Sequence, residues 1–157
     1  MSTMDGDLTT PSGRFAIVAA KFNREIVDAL VSGALKALKQ HGVADDAVDL
    51  IHVPGAFEIP LVAQKLAASG QYLAVICLGA VIRGETDHYD YVARGATDGI
   101  LQASLTTGVP IMFGVLTCQT EELALARAGG KDGNKGFDAA ITSIEMVNLL
   151  GNLDRQK

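Results

Sequence analysis

The chain contains no tryptophan, and aromatic residues make up only 5% of it. Each Phe or Tyr near a candidate site therefore carries more information than usual. Cysteine is nearly absent. Cys77 and Cys118 stand 41 positions apart and form no CxxC pair, which leaves no disulfide framework and no metal-ligand spacing. Cys77 lies inside an apolar run and Cys118 ends another, so both read as thiols that pack as small hydrophobes. Positive charge is short: 13 Lys and Arg against 18 Asp and Glu give a formal charge of −5. A dedicated nucleic-acid binder is disfavoured, because neutralising phosphates needs a basic surface. Long apolar segments are missing as well. The longest, Tyr72 to Ile82, is cut off by Arg83, whereas a membrane span needs about 20 residues. Met1 to Asp7 are polar and acidic, without the basic and apolar regions of a secretory signal. The expected setting is the cytoplasm, with neither a membrane nor a nucleic acid as partner.

What is present describes a globular protein. The chain has 157 residues, 48% hydrophobic and 20% charged. That length suits one domain, 1–157. Short apolar runs at Phe15–Ala20, Val48–Val53, Tyr72–Ala80 and Ile111–Leu116 are nearly continuous and rich in Val, Ile and Leu. Strands buried on both faces have this pattern. Helical spacing fills the gaps. Ile26, Val27, Leu30, Val31, Ala34, Leu35 and Leu38 share one helix face, and Gly42 follows as a stop. Further helices are predicted over Ile59–Ala68, Tyr89–Thr107, Glu121–Arg127 and Lys135–Leu149, with a polar hinge from Gly129 to Asn134.

This order demands a parallel sheet with right-handed crossovers. The predicted fold is α/β: a flavodoxin-like three-layer α/β/α sandwich with a four-stranded parallel sheet. Residues 1–13 form an N-terminal extension. A weak strand at Asp7–Thr9 would be an edge strand or would pair with a neighbouring subunit.

Open α/β sheets bind ligands beyond the carboxyl ends of their strands. The loops to read are therefore Lys21-Phe22-Asn23, Pro54 to Glu58, Val81 to His88, and Thr117 to Thr120. The first carries no GxGxxG, so a dinucleotide site is disfavoured. It also lacks the Ser/Thr/Gly run a flavin phosphate needs and the acidic pair of a phospho-acceptor. The Gly129–Asn134 hinge is not a Walker A loop. The third loop says most. Gly84-Glu85-Thr86 leads directly into a helix, whose unpaired N-terminal amides favour an anion by about 0.3–1 kcal/mol. His88, two residues beyond Thr86, titrates near pH 6.5 when unperturbed. An anion site beside an imidazole suits proton transfer on a phosphorylated substrate. A Thr cap followed by a surface His fits the same spacing. Glu85 would repel a phosphate, so its side chain should point away.

Four blocks then stand in a recognisable order: Phe22-Asn23, Val53 to Pro60, Gly79 to Tyr89, and Gly133 to Gly136. From roughly Arg14 to Leu150 the chain resembles the lumazine synthase family of riboflavin biosynthesis. The Pro-Gly-Ala-Phe-Glu and Gly-Ala-Val-Ile-Arg-Gly-Glu-Thr-x-His blocks carry most of that resemblance. It implies condensation of 5-amino-6-(D-ribitylamino)uracil with 3,4-dihydroxy-2-butanone 4-phosphate, without a metal or redox cofactor. The uracil amine attacks the ketone, a Schiff base forms, phosphate leaves, and the ring closes with loss of water.

The resemblance also assigns roles. Phe22 would stack on the uracil. Ala56, Phe57 and Glu58 would meet the ribityl chain, and Ala80, Val81 and Ile82 would offer backbone groups to the pyrimidine edge. Glu85 and Thr86 would hold phosphate through their loop, and His88 would move the proton. Phe113 and Arg127 would come from a neighbouring subunit, with Lys135 approaching the same pocket. His41 and His52 match no catalytic position. The family implies a pentamer, in some members twelve pentamers forming an icosahedral shell. The compact Gly129–Gly136 segment resembles the shell-forming members, and riboflavin synthase is the partner such a shell would enclose. Two other readings remain open on sequence: a shell protein with little chemistry of its own, and a flavin-binding module.

Overall fold

The computed structural model describes residues 1–156. Its elements follow the order β1 (Phe15–Ala20), α1 (Arg24–Gln40), β2 (Val48–Val53), α2 (Ile59–Ala68), β3 (Ala74–Ile82), α3 (His88–Thr107), β4 (Ile111–Cys118), α4 (Glu121–Ala126), β5 (Ala128–Gly130), β6 (Gly133–Asn134) and α5 (Lys135–Arg155). The four long strands form one all-parallel sheet in the order β2-β1-β3-β4. Helices α1 and α5 pack together on one face, and α2 and α3 on the other. The flavodoxin-like α/β/α sandwich is thus present. Among the described residues no helix is long and apolar enough to cross a membrane.

The apolar runs have the two-sided burial their composition requires. In β1, Phe15, Ile17 and Ala19 face the α1/α5 layer, while Ala16, Val18 and Ala20 face α2 and α3. All six are buried. Burying each large aliphatic side chain contributes about 1.5–3 kcal/mol, so the centre of the sheet is where the fold is held. Glycine allows one layer to close. A Cβ on Gly136 would run into the backbone carbonyl of Leu30, so only glycine lets the start of α5 sit this close to α1. Gly42 and Gly108 adopt φ of 85° and 70° just after α1 and α3, the left-handed turn that ends a helix.

Arg14, Asp49 and Tyr72 join the other, amino-terminal end of the sheet. Asp49 accepts from Arg14 Nη2 at 2.7 Å and from the Tyr72 hydroxyl at 2.6 Å. Arg14 first, then Tyr72, holds the Asp49 carboxyl below its ordinary range. His41 serves the backbone: its Nδ1 bonds the Ala37 carbonyl at 2.7 Å.

Several features differ from expectation, among them the end of β4, at Cys118 where Leu116 was expected. β3 runs through Ile82 instead of ending at Ala80, because β4 continues beside it and pairs Val81 with Thr117 and Ile82 with Cys118. Asp7–Thr9 forms no edge strand in the single chain. Asn148 of α5 takes the carbonyls of Asp7 and Thr9, each at 2.8 Å, and so occupies groups a strand would use. The polar hinge is an antiparallel ribbon of β5 and β6. α5 continues past Leu149 to Arg155.

Candidate active site

The strand order reverses between β1 and β3, since β2 lies to one side of β1 and β3 and β4 to the other. Ligand crevices form at such a switch point. A cleft of about 680 Å³ opens there, beyond the carboxyl ends of β1, β2 and β3. It gathers nine of the candidate residues: Phe22, Ala56, Phe57, Glu58, Ala80, Val81, Ile82, Thr86 and His88.

Backbone hydrogen bonds fix the first two loops against each other. Lys21 N donates to the Val53 carbonyl at 2.8 Å, and Phe22 N to that of Pro54 at 3.1 Å. Phe22 thus stands on a held backbone while its side chain is open, the residue being 72% exposed. A short 3-10 turn, Ala56–Glu58, precedes α2. It buries Ala56 and leaves Phe57 and Glu58 exposed. The Phe57 ring lies over Gly95 of α3, where an added Cβ would approach its Cε2 to 2.5 Å. Phe57 owes its orientation to a missing side chain.

The third side is the edge of β3. Its pairing with β1 stops at Ala19 and Leu78, whereas its pairing with β4 continues to Ile82. Backbone groups alternate sides along a strand. Arg83 N bonds the Cys118 carbonyl at 3.0 Å, so Arg83 and Val81 turn toward β4. Ala80 and Ile82 turn toward the open side. There the Asn23 side-chain amide donates to the Ala80 carbonyl at 2.8 Å.

The fourth side is the start of α3. Its N-cap, Asp87, makes no side-chain cap; Asp90 N bonds the Asp87 carbonyl at 2.9 Å, and the positive end of the helix dipole still favours an anion here. The Thr86 hydroxyl accepts from His88 N at 3.3 Å. Arg83 steadies the loop, reaching Asp90 at 3.2 Å with its guanidinium 5.4 Å from the centre of the Tyr89 ring. Glu85 is exposed and does not line the cleft. His88 is also exposed, at the first position of the helix.

Phe113, Arg127 and Lys135 lie elsewhere. They share a second hollow of about 370 Å³ along β4, and no residue lines both. β4 is the outer strand on this side of the sheet, and Phe113 is 45% exposed. Arg127 Nη1 donates to the Leu123 carbonyl at 3.0 Å and lies 3.5 Å from Asp132. Lys135 N bonds the Arg127 carbonyl at 2.9 Å, tying the two cations through the backbone. Cys118 opens onto the same hollow, but burial pushes its thiol up despite the opposing pull of Arg127. Burial alone pushes up that of Cys77. Neither is poised as a thiolate nucleophile.

The cleft also includes residues that the sequence reading gave no role, among them Asn23, Tyr89, Tyr91 and Val92. The last two had a signal: positions three and four beyond His88 share its helix face. Asn23 had only its place beside Phe22. Residues 12–151 match the family model described as 6,7-dimethyl-8-ribityllumazine synthase, a span that includes both hollows. The chain therefore belongs to the 6,7-dimethyl-8-ribityllumazine synthase family.

Proposed function

We propose that this protein joins 5-amino-6-(D-ribitylamino)uracil to 3,4-dihydroxy-2-butanone 4-phosphate, giving 6,7-dimethyl-8-ribityllumazine, phosphate and water. The observation that supports it most is the cleft itself. An open aromatic ring, an unpaired strand edge, a carboxylate and a helix start with an imidazole converge on one volume of about 680 Å³.

Each side suits one part of the chemistry. Phe22 stacks on the pyrimidine, and the Ile82 N–H and C=O read its edge. Glu58 accepts hydroxyl hydrogen bonds from the ribityl chain, which passes over Ala56 and Phe57. The α3 N-terminus and its loop, Glu85 by its backbone and Thr86, receive the phosphate. The 5-amine attacks the ketone, and loss of one water gives the Schiff base. His88 takes the proton from the adjacent carbon, and the electron pair expels phosphate from the next. The enol so formed becomes a ketone. The ribityl-bearing nitrogen attacks it, and a second water leaves as the ring closes. Positioning two reactants side by side supplies much of the acceleration, and His88 adds the acid–base share.

Phe113 and Arg127 enter from a second copy of the chain. Their own cleft does not contain them: Phe113 lies on the edge strand β4, and Arg127 follows α4 in the hollow beside that strand. Arg127 completes the phosphate site with a charge-assisted hydrogen bond, Phe113 covers the heterocycle, and Lys135 stands beside them. The working unit is a ring of five cytoplasmic chains, each one domain whose amino-terminal segment is held on its own α5. The tight β5–β6 ribbon suits closure of twelve such rings into a shell that could hold riboflavin synthase.

A turnover assay tests this reading. The assembled protein is mixed with both substrates, and lumazine absorbance is followed against an enzyme-free control. Acceleration that His88→Ala and Arg127→Ala both reduce supports the reaction and the shared site. A rate equal to the control refutes them.

A further inference from the structure

Asn23 is the one non-glycine residue with positive φ among those described, at φ 58° and ψ 48°. This left-handed conformation is strained for most L-residues, and asparagine tolerates it best. The position is the N-cap of α1, where an asparagine oxygen normally accepts from the helix's early amides. Here it makes no such bond. Its Nδ2 instead spans to the Ala80 carbonyl at 2.8 Å. The residue therefore forgoes the helix cap in favour of a bond to β3.

That carbonyl needs a partner. β1 ends at Ala20 while β3 continues to Ile82, so Ala80 faces a place where no strand lies. The Asn23 amide stands in for the missing strand. It thereby binds the backbone that carries the Phe22 ring to the edge ending at Ile82. A flat heterocycle held by its face and its edge at once needs those two surfaces at a fixed separation.

We infer that Asn23 is a positioning residue for the pyrimidine, setting the Phe22 ring at a fixed offset from the Ala80–Ile82 edge. The inference rests on the proposed reaction. It also divides the roles within that edge. The Ala80 carbonyl is engaged by the protein, and the Ile82 pair is presented to the ligand.

Two variants test it. Asn23→Gly keeps the left-handed backbone at no steric cost and removes the amide. Asn23→Asp keeps the shape and sets a carboxylate against the Ala80 carbonyl. Both are assayed as assembled protein, with KM measured for each substrate. The ribitylaminouracil is also titrated alone by its fluorescence. In both variants its KM and dissociation constant should rise about ten-fold, equivalent to about 1.4 kcal/mol, while the KM for butanone phosphate stays unchanged. A merely structural Asn23 would lower the melting temperature and raise both constants together, and that result overturns the inference. So does an unchanged ribitylaminouracil constant in an active protein. If the parent protein shows neither turnover nor ribitylaminouracil binding, the proposed reaction falls, and this role with it.

Discussion

Gly95 offers a way to move one wall of the cleft while leaving the fold alone. It lies inside α3, beneath the Phe57 ring, and an added Cβ would sit 2.5 Å from Cε2 and 2.9 Å from Cδ2. Ordinary carbon contacts are about 3.5–4.0 Å, so in Gly95→Ala the ring must withdraw by about 1 Å. It is free to do so, because Phe57 is 62% exposed. A phenylalanine has about 200 Å² to bury, of which less than half is covered here. Losing all of that cover would cost about 2 kcal/mol, and a 1 Å swing forfeits only part of it. Replacing a mid-helix glycine with alanine returns about 1 kcal/mol. The two nearly cancel, and the melting temperature should stay within about 2–4 °C of the parent. Activity should not be spared. A wall residue displaced by about 1 Å can cost up to about 10²-fold; for a ring proposed to meet the ribityl chain, away from the reacting carbons, a fall of about ten-fold in kcat/KM for the ribitylaminouracil is expected. The control is a double-mutant cycle, since coupled neighbours are non-additive. In a Phe57→Ala background, Gly95→Ala should have no further effect on kcat/KM. A Gly95→Ala enzyme with full activity, or a double variant whose losses simply add, would refute the argument that Gly95 acts through Phe57.

His88→Ala should retain activity above the enzyme-free rate while losing about 10²-fold in kcat, within the range of acid–base catalysis; single-turnover kinetics measures it. Arg127→Ala should chiefly raise the KM for the butanone phosphate, by about ten- to a hundred-fold for a lost charge-assisted bond of about 1.5–3 kcal/mol. Refolding a mixture of His88→Ala and Arg127→Ala chains should restore part of the activity, because some shared sites then receive His88 from one chain and Arg127 from its neighbour. No recovery in a mixed assembly would place both residues in one chain's site. At the amino-terminal end of the sheet, the depressed Asp49 pKa means stability that is present above the ordinary carboxylate range, about pH 4, and lost as pH falls through the lower folded value. Asp49→Asn should therefore melt below the parent at neutral pH. The gap should narrow as the pH drops under about 4, which thermal melts across a pH series will show.

The layers of this fold could be read from the sequence because both faces of the sheet are covered. Phe15 to Ala20 must be apolar at every position, so the run marks a central strand without help from tertiary structure. Helix ends were equally plain where glycine follows, as at Gly42 and Gly108. The overrun of β3 was less visible. Val81 and Ile82 are as apolar as the residues before them, yet they read as the start of the loop that leads to His88, and only the register with β4 decides the matter. Asp7–Thr9 forms no edge strand within the chain because an asparagine far along the sequence, Asn148, claims its carbonyls. In the site, Phe22, Phe57 and His88 were marked by position beyond strand ends. Asn23 carried no separate signal. Its meaning lies in a contact with Ala80, and such a partner is not inferable from local spacing. Phe113 and Arg127 were placed outside the first cleft by family resemblance, and the single chain does keep them apart.

The stretch of β3 beyond β1 has a further consequence for how this protein can vary. Ile82 meets the cleft with a main-chain N–H and C=O, groups that every residue except proline possesses. An exchange of Ile82 for another β-branched residue leaves that recognition in place. Drift in side chains along this rim therefore need not erode selectivity for the proposed heterocycle. Proline alone would erase the donor, making its exclusion at position 82 a sharper mark of this reading than the identity of the isoleucine.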